Sequence, residues 1–211
     1  MGKDIPFLKG VETFKKLKFR EYEKKFKELI EKGQHPKALF ITCSDSRIHP
    51  DEITGADIGD LFIVRNIGNM VPPFKPDNEF HGVAAAVEYA VSVLNVPDII
   101  VCGHSHCGAC ESLYKDLPDD IEIIHVKKWL EIDNDVKELA LQTIPERCRE
   151  LYELTERLNI IKQIENLLTY PGVKRRVEEG KLRLHGWYYI IEKGEIEYYD
   201  PETNRFYPIA Q

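Results

Sequence analysis

Apolar residues near the start of the chain recur at three- to four-residue steps among lysines and glutamates. Between residues 11 and 32 these positions are Val11, Phe14, Leu17, Tyr22, Phe26, Leu29 and Ile30. Such spacing is typical of an amphipathic helix with one apolar face. We predict a helix over residues 11–32 that ends at Gly33. Because its Lys and Arg residues are interleaved with Glu, we expect the apolar face to pack on protein rather than on a membrane surface.

Three short apolar runs follow this helix, each with the length and β-branched content of a buried strand. They cover residues 38–42, 61–64 and 99–102. Between the second and third runs, residues 83–94 are rich in Ala and Val and long enough for a buried helix. The alternation of strand, helix and strand is typical of parallel α/β sheets. We therefore predict a doubly wound, mostly parallel central sheet flanked by helices.

The C-terminal half is predicted to contain further helices and a hairpin. Helical stretches over 135–144 and 146–168 are divided at Pro145, and the Pro171-Gly172 pair ends the second before a short helical piece up to Gly180. Residues 182–191 and 196–199 resemble a closing hairpin around Lys193-Gly194. With no internal repeats or linkers, the chain is predicted to form a single domain over 1–211, with residues 1–33 as an N-terminal helical arm.

Composition and charge narrow the possible partners. The chain has 211 residues, 43% of them hydrophobic, and a formal net charge of -7. This acidic balance offers no general attraction to nucleic acid or anionic lipid, so we expect neither partner. No stretch approaches a membrane span, and the first ten residues lack the apolar segment of a signal peptide. We therefore expect a cytoplasmic protein.

The five cysteines point to metal binding or reactivity. They are odd in number and unevenly spaced, at positions 43, 102, 107, 110 and 148, which argues against a disulfide framework. The first apolar run leads into Cys43-Ser44-Asp45-Ser46-Arg47, and the third leads into the segment 103–110, Gly-His-Ser-His-Cys-Gly-Ala-Cys. In open parallel sheets the carboxyl ends of strands form one crevice, so these segments can meet.

Cys43, His104 and Cys107 could then share one ion. Two thiolates and one imidazole suit zinc, and three protein ligands leave the fourth tetrahedral position for water, as in catalytic sites. Two alternatives stay open on spacing alone. One is a four-cysteine cluster of Cys43, Cys102, Cys107 and Cys110, and the other is a redox pair of Cys107 and Cys110.

Single residues in these segments also have simpler interpretations. Cys102 and Cys148 are predicted to be small core residues, Cys110 to pack in the first turn of a helix, and His106 to lie at the surface or beside a ligand. Asp45 and Arg47 can form a charge-assisted pair, which is worth little if it is only an exposed loop salt bridge. Near a metal, the same pair would keep Asp45 from occupying the water position.

The two segments resemble the signatures of the β-carbonic anhydrases. Cys-Ser-Asp-Ser-Arg at 43–47 and Gly-His-Ser-x-Cys-Gly at 103–108 are similar to that family's motifs. The similarity continues through the segments 61–66, 85–90, 166–171 and 186–189. It implies reversible hydration of carbon dioxide to bicarbonate by hydroxide formed at one Zn²⁺ per chain. Cys43, His104 and Cys107 would bind the zinc, and Asp45 and Arg47 would form a gating dyad.

The resemblance also implies a substrate pocket and an assembly. The residues it assigns to substrate binding are Gln34, Phe62, Ile67, Tyr89 and Gly103. It implies a homodimer or higher homo-oligomer, in which the N-terminal helix extends onto a neighbouring subunit and the pocket is completed at that interface. Candidates for a proton shuttle are His106, His81 and Tyr89.

One branch of the family has a regulatory bicarbonate site built from a Trp, an Arg and a Tyr. Arg65 and Tyr189 match here, but Phe40 stands at the position of the Trp and has no indole N–H to donate. The chain therefore resembles the plant-like, type I branch, which implies an open site without cooperative inhibition by bicarbonate. Two other functions remain open: hydrolysis of carbonyl sulfide or carbon disulfide, and a non-catalytic zinc or redox role.

Overall fold

A six-stranded sheet runs through the protein in a computed structural model that describes residues 6–209. The strands are β1 (Ala38–Cys43), β2 (Leu61–Asn66), β3 (Asp98–His104), β4 (Arg183–Ile190), β5 (Glu195–Asp200) and β6 (Arg205–Pro208). Their order is β2-β1-β3-β4-β5-β6. The first four strands pair in parallel, and the β4–β5 and β5–β6 pairs are antiparallel. The predicted mostly parallel sheet is confirmed, and β6 adds a strand that the sequence pattern did not indicate.

Nine α-helices of the described residues surround or extend from this sheet. They are α1 (Leu8–Thr13), α2 (Phe19–Lys32), α3 (Pro50–Thr54), α4 (Gly82–Glu88), α5 (Gly108–Ser112), α6 (Ile124–Leu130), α7 (Asn134–Thr143), α8 (Arg149–Leu167) and α9 (Pro171–Glu178). The predicted long helices are present, and a π-helical stretch, Phe14–Lys18, joins α1 to α2. Pro171 begins α9 rather than only ending α8, because the first helical turn needs no proline N–H.

The main core lies between the sheet and α8. Leu39, Ile41, Val101 and Tyr188 are fully or almost fully buried there. Two strand glycines let the helix approach closely. A Cβ built at Gly103 would lie 2.7 Å from the Ile160 side chain, and one at Gly186 would lie 2.8 Å from it. Only glycine leaves room for α8 at these positions.

The N-terminal arm has apolar residues that its own chain leaves uncovered. No residue described in α1, the π-helical stretch or α2 is buried, and Val11 and Leu17 are 61% and 64% exposed. A salt bridge of 3.1 Å between Lys25 and Asp57 ties the arm to the rest of the chain. The first five residues of the predicted arm lie outside the described part of the structure. Within that part, no helix combines the length and apolar character needed to span a membrane.

The strand order creates a crevice between β1 and β3. After β1 the chain forms β2, which pairs with one edge of β1. It then crosses back to form β3, which pairs with the opposite edge of β1. A reversal of strand order of this kind opens a crevice at the carboxyl ends of the strands, where ligands of open α/β sheets bind.

Candidate metal centre

Cys43, His104 and Cys107 meet at the crevice between β1 and β3. Cys43 is the last residue of β1, His104 is the last residue of β3, and Cys107 directly precedes α5. Their ligand atoms all lie within 4.8 Å of one another, and all three residues are buried. Residues more than 60 positions apart in the sequence thus converge because parallel strands end at the same edge of the sheet.

The imidazole of His104 is arranged as a metal ligand would be. Its Nδ1 lies 2.9 Å from the carbonyl oxygen of Ser105 and is placed to donate to it, which leaves Nε2 with a free lone pair. Nε2 is buried and has no hydrogen-bond partner among the described residues. A buried polar atom without a partner costs stability unless something binds it. Together with two thiols, this atom fits a zinc ion.

The two thiols also need a cation to ionise. The neighbouring Cys107 thiol, together with burial, raises the pKa of Cys43 to about 12. The pKa of Cys107 is raised well above its usual range, first by the adjacent Cys110 thiol. Burial and close thiols both disfavour a thiolate, whereas a bound divalent cation stabilises it. The pair is thus suited to ionise when a metal is bound.

Asp45 is held by Arg47 through both carboxylate oxygens. Arg47 Nε donates to Oδ1 at 2.9 Å, and Nη2 donates to Oδ2 at 2.8 Å. Arg47 Nη2 also donates to the carbonyl oxygen of His106 at 2.9 Å, which links the pair to the segment that carries His104 and Cys107. The Arg47 guanidinium holds the pKa of the Asp45 carboxyl well below its usual range. This bidentate geometry keeps Asp45 ionised and turned toward Arg47.

Two further charged side chains support the backbone of the site: sequence reasoning noted Arg65 only as a match to a regulatory bicarbonate site, and it missed Glu156. Arg65 Nη2 donates to the Asp45 carbonyl oxygen at 2.6 Å, and Arg65 Nε donates to the Cys43 carbonyl oxygen at 3.2 Å. The buried carboxylate of Glu156 accepts the backbone N–H of Cys107 at 3.0 Å. No local pattern could have identified Glu156, which lies 49 residues from Cys107 in sequence.

The predicted substrate-binding residues are distributed more widely. Phe62 and Tyr89 stack with ring centroids 5.9 Å apart, and Ile67 and Tyr89 are both partly exposed. Gln34 is exposed, in the segment between α2 and β1. Gly103 is buried against Ile160, so its position is explained by helix packing. These residues remain predicted substrate contacts.

The candidate shuttle histidines have acidic neighbours. His106 Nε2 lies 3.6 Å from Glu192 Oε1, and His81 Nε2 lies 2.7 Å from Asp77 Oδ1. Both side chains are partly exposed. The structure therefore leaves their roles as predictions.

The geometry favours the Cys-His-Cys set over a four-cysteine cluster. Cys102 lies with Phe40 and Ile100 in a separate apolar cluster. Cys110 is buried in the first turn of α5, as predicted, and all five cysteines are free. Within residues 6–209, the one group in which three metal-ligand side chains converge is that of Cys43, His104 and Cys107.

Fold and site together define an α/β protein with a candidate three-ligand Cys-His-Cys metal site at the carboxyl edge of a parallel sheet. A family model described as carbonic anhydrase matches residues 38–196. A carbonic anhydrase of Synechococcus elongatus is 41% identical over 192 residues, which cover 90% of this chain and 69% of that relative. The chain belongs to the β-carbonic anhydrase family of enzymes.

Solved structures agree with this family. The β-carbonic anhydrase CcaA matches with a TM-score of 0.88 at 40% identity, over 95% of this chain and 97% of that one. A second match is a chain from the crystal structures of two tetrameric β-carbonic anhydrases of the ascomycete Sordaria macrospora. Its TM-score is 0.76 at 29% identity. That match covers 90% of this chain and 93% of the fungal chain.

Proposed function

We propose that this protein catalyses the reversible hydration of carbon dioxide to bicarbonate and a proton, with one zinc ion held by Cys43, His104 and Cys107. The observation that carries the proposal is the buried, unpartnered Nε2 of His104, a residue whose ligand atom lies within 4.8 Å of those of Cys43 and Cys107. Membership of the β-carbonic anhydrase family supports the reaction. A zinc ion bound there would supply Lewis-acid activation of water near neutral pH.

The protein's own residues then have distinct roles. Arg47 holds the Asp45 carboxylate with two hydrogen bonds, which keeps it away from the ligand position that water needs. The ionised carboxylate of Asp45 can accept a hydrogen bond from that water and orient it toward carbon dioxide. The stacked rings of Phe62 and Tyr89 provide an apolar surface suited to a small nonpolar substrate.

We further propose that the site stays open in the presence of bicarbonate. Phe40 is fully buried and offers no side-chain donor, and the Arg65 guanidinium donates to the carbonyl oxygens of Cys43 and Asp45. Both features suit the plant-like branch, in which Arg47 retains Asp45.

We also propose a single domain over residues 1–211 that assembles as a homodimer or larger homo-oligomer. The exposed apolar residues of the arm, such as Val11 and Leu17, support assembly, since a neighbouring copy would cover them. The tetrameric fungal relatives support the same proposal. Five free cysteines suit a reducing compartment, and we propose a cytoplasmic location on that basis.

Stopped-flow measurement of carbon dioxide hydration by the purified, zinc-loaded protein tests the reaction. We expect kcat/KM of at least about 10⁴ M⁻¹ s⁻¹. His104→Asn, which removes the ligand nitrogen but keeps a polar side chain of moderate size, serves as the control and should be inactive. Carbonyl sulfide is assayed in parallel. Turnover of carbonyl sulfide without turnover of carbon dioxide would contradict the proposal and favour the alternative substrate.

A further inference from the structure

Ser105, which directly follows β3, joins His104 to the end of β4. It is only 1% exposed. Its N–H donates to the Tyr189 carbonyl oxygen at 2.9 Å, and its own carbonyl oxygen lies 2.9 Å from His104 Nδ1, which is placed to donate to it. Its hydroxyl oxygen accepts the N–H of Ile191 at 2.9 Å, and the hydroxyl donates to Glu192 Oε2 at 2.7 Å. Every polar group of this buried residue is therefore bonded.

The hydroxyl of Ser105 takes the place of its own carbonyl in the pairing of β3 with β4. Parallel strands pair through alternate residues, so a residue that donates to one carbonyl of its neighbour accepts from the N–H two positions further on. Ser105 donates to Tyr189, and regular pairing would direct the Ile191 N–H to the Ser105 carbonyl oxygen. Here the Ile191 N–H bonds the hydroxyl oxygen, which leaves the carbonyl oxygen for His104 Nδ1. Only a short side chain with an acceptor atom allows this exchange.

The hydroxyl hydrogen of Ser105 is directed at Glu192. A backbone N–H can only donate, so the bond from Ile191 uses a lone pair of the hydroxyl oxygen and leaves its hydrogen for the carboxylate. The hydrogen bond from the Ser105 hydroxyl holds the pKa of Glu192 below its usual range, which keeps the carboxylate ionised as an acceptor. A hydrogen bond to an ionised acceptor is stronger than a neutral one. Glu192 thus fixes the orientation in which the hydroxyl oxygen faces Ile191.

We propose that Ser105 and Glu192 are positioning residues for His104, because the bonded hydroxyl frees the Ser105 carbonyl oxygen to hold the Nδ1–H. The inference rests on the proposed function, since it concerns a metal bound by His104. A proton held on Nδ1 leaves the lone pair on Nε2, the nitrogen that would bind the metal. Hydrogen bonds of this kind fix the tautomer and ring orientation of a histidine ligand and raise its basicity.

Cobalt(II) in place of zinc makes the Nδ1–H of His104 observable. The ring N–H of a cobalt-bound histidine gives a hyperfine-shifted proton NMR signal that disappears in D₂O, and exchange with water broadens it when the N–H lacks a firm acceptor. Chelator competition gives the zinc affinity, and circular dichroism reports folding. Ser105→Ala removes the hydroxyl, so the Ile191 N–H would compete for the carbonyl oxygen. Ser112→Ala is the matched control, because its hydroxyl bonds the Gly108 carbonyl oxygen at 2.7 Å within α5.

Two variants of Glu192 test the acceptor of the hydroxyl. Glu192→Ala removes it, whereas Glu192→Gln keeps a side-chain oxygen that can accept the same hydrogen bond. The Glu192 side chain is 48% exposed, so neither change leaves a cavity in the core. The pair therefore separates the hydrogen bond from the packing of the side chain.

We expect Ser105→Ala to broaden the Nδ1–H signal and to weaken zinc binding about tenfold. Glu192→Ala should change both properties in the same direction but less, and Glu192→Gln and Ser112→Ala should match the wild type. A folded Ser105→Ala protein with the wild-type signal and affinity, or equal changes in Ser112→Ala, would overturn the inference. If Ser105→Ala does not fold, wild-type behaviour of Glu192→Ala would overturn it. A wild-type protein without a cobalt-bound histidine signal would instead overturn the metal centre itself.

Discussion

The buried carboxyl of Asp133 should make the stability of this protein fall as pH rises from about 4 toward neutrality. Its Oδ1 accepts one hydrogen bond from Gln163, and its Oδ2 is buried with no partner among the described residues. Burial, with a smaller contribution from Asp135, raises the pKa of Asp133 from 3.8 to about 7, although Gln163 and Lys162 oppose the shift. The folded protein therefore binds this proton more tightly than the unfolded chain does.

The sign and size of the effect follow from linkage. Because the folded-state pKa is raised, the favourable contribution is present at low pH and is lost between about pH 4 and pH 7. Raising the pKa of Asp133 from 3.8 to about 7 corresponds to about 4 kcal/mol at most, of which about 3 kcal/mol is lost between pH 5 and pH 8. Asp133→Asn, which cannot ionise, should gain about that much over the wild type across this interval.

Urea unfolding of the wild type and Asp133→Asn at pH 5, 6, 7 and 8 measures the difference. Fixed protein and zinc concentrations remove the contributions of assembly and metal binding from the comparison. Asp57→Asn is the control: Lys25 lowers the pKa of Asp57, so its titration lies below this interval and its effect should not change with pH. A constant difference between Asp133→Asn and the wild type from pH 5 to pH 8 would refute the reasoning.

Three further predictions follow from the site and the sheet. Arg47→Ala should keep its zinc but lose most activity, because the freed Asp45 can take the open ligand position. Unchanged turnover would show that Asp45 and Arg47 form only a surface salt bridge. Gly103→Ala should cost about 1–3 kcal/mol in urea unfolding, because its methyl group meets Ile160. Adding Ile160→Val should restore part of the loss, and an additive double variant would contradict this contact. With Phe40 in place of a Trp donor, inhibition by bicarbonate should be hyperbolic, and a sigmoidal dependence in stopped-flow assays would contradict the open site.

The parts of the site that lie at strand ends could be predicted from the sequence. Buried runs before Cys43 and His104 indicated two strands, and the rule for parallel sheets then placed both residues at one edge. Cys107 was predicted as a ligand because it lies just after the run that ends at His104 and forms β3. The predicted helices and hairpin were confirmed for the same reason, since each carries its own periodic or turn signal. Short elements such as α3 and β6 carry too few residues for such a signal.

The supporting residues could not be predicted because their roles depend on how α8 packs. Asn159 contacts Gly68 across 91 positions of sequence, and Glu156 contacts Cys107 across 49. Within α8 itself these residues look like ordinary polar positions of a helix. Their contacts exist only because Gly103 and Gly186 allow the helix to approach the sheet. Gln34 and Tyr189 were identified from the family resemblance, not from a pattern in their own segments.

Zinc content per chain in matched cysteine and histidine variants tests the central claim most directly. Inductively coupled plasma mass spectrometry of the purified, folded proteins should give about one zinc per chain for the wild type and for Cys110→Ala. Cys43→Ala, His104→Ala and Cys107→Ala should each lose most of the metal, because three ligands define the site. Retention of zinc by Cys107→Ala together with its loss from Cys110→Ala would contradict the Cys43, His104 and Cys107 centre.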